Sequence, residues 1–497
     1  MQSEFDHKQW LEGDSGEAAQ EAYKYFMRPD PNQREFLGPI EEEDDPLTGM
    51  RAKFRMAKVG MVRNAKDDDK KEVKVYLGFN DVTYLPHIRI PNAKPLQGWY
   101  QDKHNDKRGS RARPCFSEAI LTEPYGGYCT VGCAFCYVNS GFRGYRGTGL
   151  ISVPVNYGEQ VRNMLSKSRT SAAGYFSSFT DPFLPIENVY HNTQQGAEAF
   201  VELGLPIFFL SRLSYPSWAI DLLKRNPYSY AQKSLNTGND RDWRKLSPGA
   251  ISLQDHIDEI AELRRQGIYT SIQVNPVVPG IVTHDDIRHL FERLAAVGNN
   301  HVIVKFVEAG YSWAPAMIER LHKRFGPERT KAFTDLFTEN QAGAQKTIAE
   351  PYRVEAHQLY RKWATELGMT YATCYEYRRG KPGTGEPAWL SMGREMITAD
   401  QCHGQRVPMF TRTDLASPSR RSRSAPPPAV STARTTTRAS PAAVRNCSGR
   451  RRLCARPTSR RSWNRPRRRR TAASARSSRS RRLTEQPRRG SGSAVFN

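Results

Sequence analysis

The chain reads as an α/β protein built on a parallel sheet, and two observations predict this. Six short apolar runs, Glu118–Thr122, Ala173–Phe179, Ile207–Leu210, Tyr230–Leu235, Tyr269–Asn275 and Val302–Val307, have the length and continuity of strands covered on both faces. Between them lie helical patterns at Tyr157–Ser166, Thr193–Leu203, Tyr215–Arg225, Leu253–Gln266 and Asp285–Val297. Strands that alternate with helices form βαβ units, and such units lay their strands parallel. The stretch at 253–266 shows the period well, with Ile257, Ile260, Ala261 and Leu263 on one side and Gly267 as a natural stop. No internal repeat is visible.

The flanks differ from this core. Residues 1–114 read as a polar N-terminal extension with short strands at Val73–Leu77 and Val82–Leu85. Within it, Lys103, Lys107, Arg108, Arg111 and Arg113 make a basic stretch, either a solvated loop or a phosphate patch. Residues 115–310 hold the alternating core. Residues 311–414 read as a C-terminal helical extension, with helices at Pro315–Phe325 and Val354–Leu367 and a final strand at Met369–Tyr375, packed on the core. Residues 415–497 form a tail of Arg, Ser, Ala, Pro and Thr that cannot bury a core and is expected to be disordered.

The net charge of +24 on 497 residues belongs almost wholly to that tail. It holds 23 of the 75 basic residues, all Arg, and one of the 51 acidic ones, which makes +22. Residues 1–414 carry 52 basic and 50 acidic residues, so the folded part has no global basic footprint for nucleic acid. The tail could bind nucleic acid through its phosphates. Its abrupt start near Pro418 also fits a reading frame that has shifted. Eight cysteines are too few for a disulfide scaffold, and the polar N-terminus shows no secretory signal. The longest apolar stretches, such as Leu205–Leu210, are too short to span a bilayer. These features together predict a soluble protein of the cytoplasm, with no membrane partner.

The most specific local pattern is Tyr128-Cys129-Thr130-Val131-Gly132-Cys133-Ala134-Phe135-Cys136-Tyr137. Soft thiolates suit iron, and three on one tight loop can hold three corners of a cubane iron–sulfur cluster. With no fourth cysteine close by, one iron stays open to a ligand. A structural zinc site wants a fourth Cys or His and paired spacing; Cys115 lies upstream and no His falls inside the loop.

This loop resembles that of the radical S-adenosylmethionine (SAM) superfamily. The resemblance implies a [4Fe–4S] cluster on Cys129, Cys133 and Cys136, with SAM chelated by the open iron and cleaved to a 5′-deoxyadenosyl radical. It implies an external electron donor, flavodoxin- or ferredoxin-like. It also makes the α/β core a partial (β/α)6 TIM-type barrel, with the cysteine loop after the first strand and the site at the C-terminal strand ends. The strand ends carry suitable groups. Tyr137 follows the last cysteine. Asp181 can accept from the SAM amino group, and Arg212 can pair with its carboxylate. Ser234 and Asn236 suit ribose hydroxyls, and Gly280 permits the close approach an adenine edge needs. Plain turns and solvent-facing side chains are the alternative readings of Asp181 and Arg212.

The run through Thr180-Asp181-Pro182, Trp243-Arg244-Lys245-Leu246-Ser247-Pro248-Gly249-Ala250 and Pro276-Val277-Val278-Pro279-Gly280 is similar to the spore photoproduct lyase-like branch. The repair lyases of that branch use a cysteine near the second strand's end as hydrogen donor; the similar place here reads Ser177-Ser178, and the chain looks closer to the members of the branch without an assigned substrate. Cys374 is the candidate hydrogen donor here, and Cys402-His403 a candidate start of a second metal site. The expected function is a radical SAM enzyme acting on an unidentified substrate. A DNA lesion lyase and a non-enzymatic iron–sulfur protein that senses redox state or binds nucleic acid are the alternatives.

Overall fold

The strands that the apolar runs predict are all present, and more are added to them. A computed structural model describes residues 34–60, 70–91, 96–99, 119–136, 138, 150–177, 179–311, 313–341, 345–386, 389–415 and 417–421. Cys115, Tyr137, Ser178, the basic stretch at 103–113 and the tail beyond 421 lie outside the described residues.

The N-terminal part is a sheet. Strands β1 (Arg34–Asp44), β2 (Arg51–Gly60), β3 (Lys70–Phe79) and β4 (Val82–Ile90) pair in sequence, all antiparallel. After β5 (Leu96–Trp99) and β6 (Ala119–Thr122), strand β7 (Ile151–Pro154) returns to pair parallel with β4. The polar extension with two short strands is thus corrected to four long strands. Their signal was weak for a physical reason. In β2, Ala52 and Phe54 face the main core while Ala57 and Val59 face a small second core, so the buried side changes along the strand. The charged residues between them, Lys53, Arg55 and Lys58, then read as a polar segment.

The main sheet follows the chain: β5, β6, then β8 (Ala173–Phe176), β9 (Ile207–Ser211), β10 (Tyr230–Leu235), β11 (Tyr269–Val277), β12 (His301–Phe306) and β13 (Thr370–Thr373). All pairs from β6 onward are parallel, and β5 is an antiparallel edge. The sheet is open, with β5 and β13 at its edges among the described residues. This is the predicted α/β core, an unclosed barrel, with the final strand of the C-terminal extension added as β13. Strand β8 ends before the predicted Phe179 because Ser177 adopts a left-handed conformation, φ 61°, that no strand continues.

The helices longer than one turn are α1 (Tyr157–Ser166), α2 (Asn192–Glu202), α3 (Ser217–Lys224), α4 (Asp240–Leu246), α5 (Leu253–Arg265), α6 (His284–Ala296), α7 (Ala314–Leu336) and α8 (Glu350–Glu366). Local chemistry sets their ends. Ser252 accepts from Asp255 N–H at the start of α5, and Thr283 with Asp286 forms a capping box on α6. Gly267 stops α5 at φ 77°. Helix α7 breaks at Gly326, φ 82°.

Strand alternation gives the sheet two unlike faces. Ile272, Val274, Val302 and Val304 join Leu290, Phe291 and Tyr360 of the helices in one buried cluster. The other face of β10 and β11 is polar, with Gln232 beside Ser271 and Ser234 beside Gln273. Near the strand starts this second face is filled by the loop at Cys402-His403. The Tyr230 hydroxyl meets His403 Nδ1 at 2.5 Å, and His301 Nε2 meets the Cys402 carbonyl at 2.7 Å. Burial holds the His403 pKa down at about 3, so its ring is neutral there. The candidate second metal site is corrected accordingly: Cys402-His403 is an aromatic-lined plug, and no three His, Cys, Asp or Glu among the described residues converge on a metal position.

Candidate radical site at the cysteine loop

The loop after β6 is held from several sides. At its start the Glu123 carboxylate accepts from Thr180 N–H and Oγ1 at 2.9 and 2.7 Å, which ties it to the end of β8. The Tyr125 hydroxyl donates to buried Glu187, whose carboxylate also accepts from Thr193 and Gln194 N–H, both at 2.9 Å, at the start of α2. Beyond Cys129, Ala134 N–H donates to Leu246 O at 2.9 Å and Gly249 N–H to Val131 O at 3.0 Å. From α7, Arg320 reaches Ala134 O (3.0 Å) and Cys136 O (3.2 Å), while Arg324 bridges Gly132 O (3.3 Å) and Lys245 O (2.8 Å). Gly132 takes φ 62° at the turn between the first two cysteines. The C-terminal extension therefore anchors on this loop.

Cys129 and Cys133 are buried, Cys136 is half-buried, and none of the three is in a disulfide. Burial pushes the Cys129 thiol well above its ordinary pKa, and Asp181 and the other two thiols add to that. Three thiols within electrostatic reach of one another, two of them buried, make an all-sulfur donor set. Zinc sites of this size want a fourth Cys or His, which this run does not contain. A cubane spreads its three thiolates over three irons, and a donor set of three cysteines fits that group.

Arg212, one residue past β9, is the hub on the strand side of the loop. Its Nη1 donates to Ser247 Oγ at 2.9 Å, and its Nη2 to Ser234 Oγ at 2.9 Å and Asn275 O at 2.6 Å. The guanidinium lies 5.1 Å from the Phe135 ring of the cysteine loop and 5.6 Å from Trp243 of α4. It is buried, and none of its hydrogen bonds goes to a carboxylate among the described residues. One Nη1 proton and the Nε proton are left for a ligand. Ser247 in turn lies 3.4 Å from Cys133 Sγ.

The other sequence-predicted residues divide. Asp181 is buried beside this hub, but its oxygens are occupied: Arg212 N–H donates at 2.7 Å, Phe183 N–H at 3.0 Å, and Ser211 Oγ lies 2.9 Å away. Burial raises its pKa and those backbone donors oppose the rise. It clamps the end of β8 to the end of β9. Ser234 holds Arg212. Asn236 is fully buried, and neither its amide nitrogen nor its oxygen has a hydrogen-bond partner. Buried orphans of this kind each cost about 1–3 kcal/mol for as long as no partner completes them. Ser177 Oγ and Thr130 Oγ1 are orphaned in the same way. At Gly280 a Cβ would stand 2.6 Å from Phe333 N and 2.8 Å from Ala332 C, so the close approach the structure shows there is to the backbone of α7. Cys374 follows β13, at the edge of the sheet away from the cysteine loop. It is half-buried, its N–H donates to Val304 O at 3.1 Å, and Lys305 adds a 2.5 Å ion pair with Glu308 nearby. The sequence reading passed over Ser247, Phe135, Trp243, Arg320 and Arg324. Phe135 lies in the cysteine run and Trp243 and Ser247 in the run Trp243–Ala250, which is the local signal available for these three.

No family model matches the chain. A protein of Pseudomonas phage M6 described as a radical SAM Nalpha-GlyT isomerase is 97% identical over 413 residues, covering 83% of this chain and 86% of that protein. Among solved structures, a spore photoproduct lyase variant with bound AdoMet and dinucleoside spore photoproduct matches at TM-score 0.41 and 15% identity, over 51% of this chain and 75% of that one. SuiB of Streptococcus suis bound to S-adenosylmethionine matches at TM-score 0.34 and 13% identity, over 55% of this chain and 53% of that one.

Proposed function

Since the chain belongs to the radical SAM family and is a radical SAM enzyme, we propose that it is an isomerase acting on the substrate named for its phage relative, Nalpha-GlyT, with a [4Fe–4S] cluster and SAM as cofactors. The observation that carries the cofactor assignment is the clasped loop with its three cysteines, none in a disulfide, beside an Arg212 that has unspent protons. Cys129, Cys133 and Cys136 would hold the cluster. Bound there, the cluster and SAM would supply radical chemistry at an unactivated C–H bond.

The protein's own groups do the rest. Arg212 binds and orients a carboxylate. Asn236 offers one donor group and one acceptor to a hydroxyl-bearing ligand. The buried hub and the loop at Cys402-His403 keep water from the polar face, which protects a radical from side reactions. An isomerisation leaves the hydrogen count unchanged. Where the carrier that takes the substrate hydrogen also gives it back, no thiol donor is required; Ser177-Ser178, at the place similar to that of the repair lyases' cysteine, and a spectator Cys374 are both compatible with that.

The reduction calls for an external one-electron donor of flavodoxin or ferredoxin type, in keeping with a cytoplasmic protein. No helix among the described residues is long and apolar enough to cross a membrane. The Arg-rich tail is proposed as an arm that could hold a nucleic acid, with the steep salt dependence of phosphate contacts.

The test is anaerobic. Reconstituted protein is expected to bind about four irons per chain, to cleave SAM with dithionite, and to convert Nalpha-GlyT to a product of equal mass. Replacing the three cysteines with Ala should abolish iron binding and cleavage together. Stoichiometric zinc in place of iron would refute the cluster, and an iron-loaded enzyme that leaves Nalpha-GlyT unchanged would refute the substrate.

A further inference from the structure

We propose that Ser247 is a positioning residue that donates a hydrogen bond to the Cys133 thiolate and so raises the reduction potential of the cluster; this rests on the assignment of Cys133 as an iron ligand. Arginine can only donate, so at the 2.9 Å contact with Arg212 Nη1 the Ser247 oxygen is the acceptor. The single Ser247 proton is thereby free to point elsewhere, and Cys133 Sγ lies 3.4 Å away. The arrangement is rigid. Ser247 is 1% exposed, its N–H donates to Trp243 O at 2.9 Å, and its carbonyl accepts from Ala250 N–H at 3.0 Å. The bonds from Ala134 to Leu246 and from Gly249 to Val131 tie both flanks of Ser247 to the cysteine loop.

A donor on a ligating sulfur stabilises negative charge there. The reduced cluster carries one more electron than the oxidised one, so the donor favours the reduced state. The cation of Arg212 polarises the Ser247 hydroxyl in the same sense. Because Arg212 also has unspent protons toward a ligand carboxylate, the line Arg212–Ser247–Cys133 joins the ligand side of the site to the sulfur.

The experiment is a potentiometric titration, followed by electron paramagnetic resonance, of reconstituted wild-type protein and the variants Ser247→Ala, Ser247→Thr and Ser247→Val, with iron measured in each. Ser247→Ala should load iron and become harder to reduce. At a fixed solution potential its ratio of reduced to oxidised cluster should fall roughly tenfold, which is 59 mV for a one-electron couple. Ser247→Thr should restore the wild-type value. If Ser247→Ala loads no iron, the equal-sized threonine and valine variants decide. A lower potential or failed loading in valine alone supports the bond. Equal potentials in both, or a threonine variant that cannot load iron, overturn it. A wild-type protein that takes up no iron defeats the cluster assignment instead, so the two failures are distinct.

Discussion

Arg212→Lys keeps the charge of the hub and removes its fork. The guanidinium holds three acceptors at once, Ser247 Oγ, Ser234 Oγ and Asn275 O, at 2.9, 2.9 and 2.6 Å. A lysine ammonium on one flexible stem reaches about one of them. Net hydrogen bonds to charged groups are worth about 1.5–3 kcal/mol each, so two lost bonds cost about 3–6 kcal/mol before any repacking. The contacts with Phe135 and Trp243 add about 0.5–2 kcal/mol. Most of that loss should appear as lower stability, because Ser234, Ser247 and Asn275 are partners within the fold. The ligand's share is one charge-assisted contact to the SAM carboxylate, about 1.5–3 kcal/mol, or roughly 10- to 100-fold in Kd. The assay takes iron content first, then SAM titration by anaerobic calorimetry, then urea unfolding. Weaker SAM binding with full iron is the expected result. A fully loaded Arg212→Lys protein whose SAM affinity stays within about twofold of wild type would refute the assignment, since that change is below 0.5 kcal/mol.

Three further outcomes are expected. Glu376 is buried, which alone would raise its pKa, but Arg353 at 2.7 Å and the neighbouring donors bring it down to about 2 from 4.5. Its stabilising contribution, about 3 kcal/mol, is present above pH 4.5 and lost as pH falls toward 2; Glu376→Gln should flatten that part of a stability-versus-pH curve from urea melts, and an unchanged slope would count against it. Gly280→Ala puts a Cβ against the backbone of α7 at a positive φ of 82°, so it should destabilise the fold by about 1–3 kcal/mol, seen as a lower Tm; a neutral variant would show that α7 shifts freely. Cys374→Ala should keep isomerisation within about threefold, as for a residue outside the transition state; a loss of two orders of magnitude in product formation, with SAM cleavage intact, would make Cys374 a hydrogen relay.

The sequence by itself determined what depends on neighbours along the chain. The three thiols fall within eight residues of one another, Cys129 to Cys136, so their chemistry is visible without a fold. The strands and helices of the core are legible for the same reason. Buried parallel strands are continuous apolar runs, and helices such as α5 carry their own period and caps. Tertiary structure decided everything that joins distant segments. Ser247 meets Cys133 across 114 residues of chain and Arg212 across 35, and no local pattern encodes either contact. Asp181 and Gly280 have residue types that suit a ligand site, yet the fold turns Asp181 into a clamp between β8 and β9 and sets Gly280 against α7. The N-terminal sheet was hidden because β2 buries one face at its start and the other at its end, a pattern that acquires a meaning only once both cores exist.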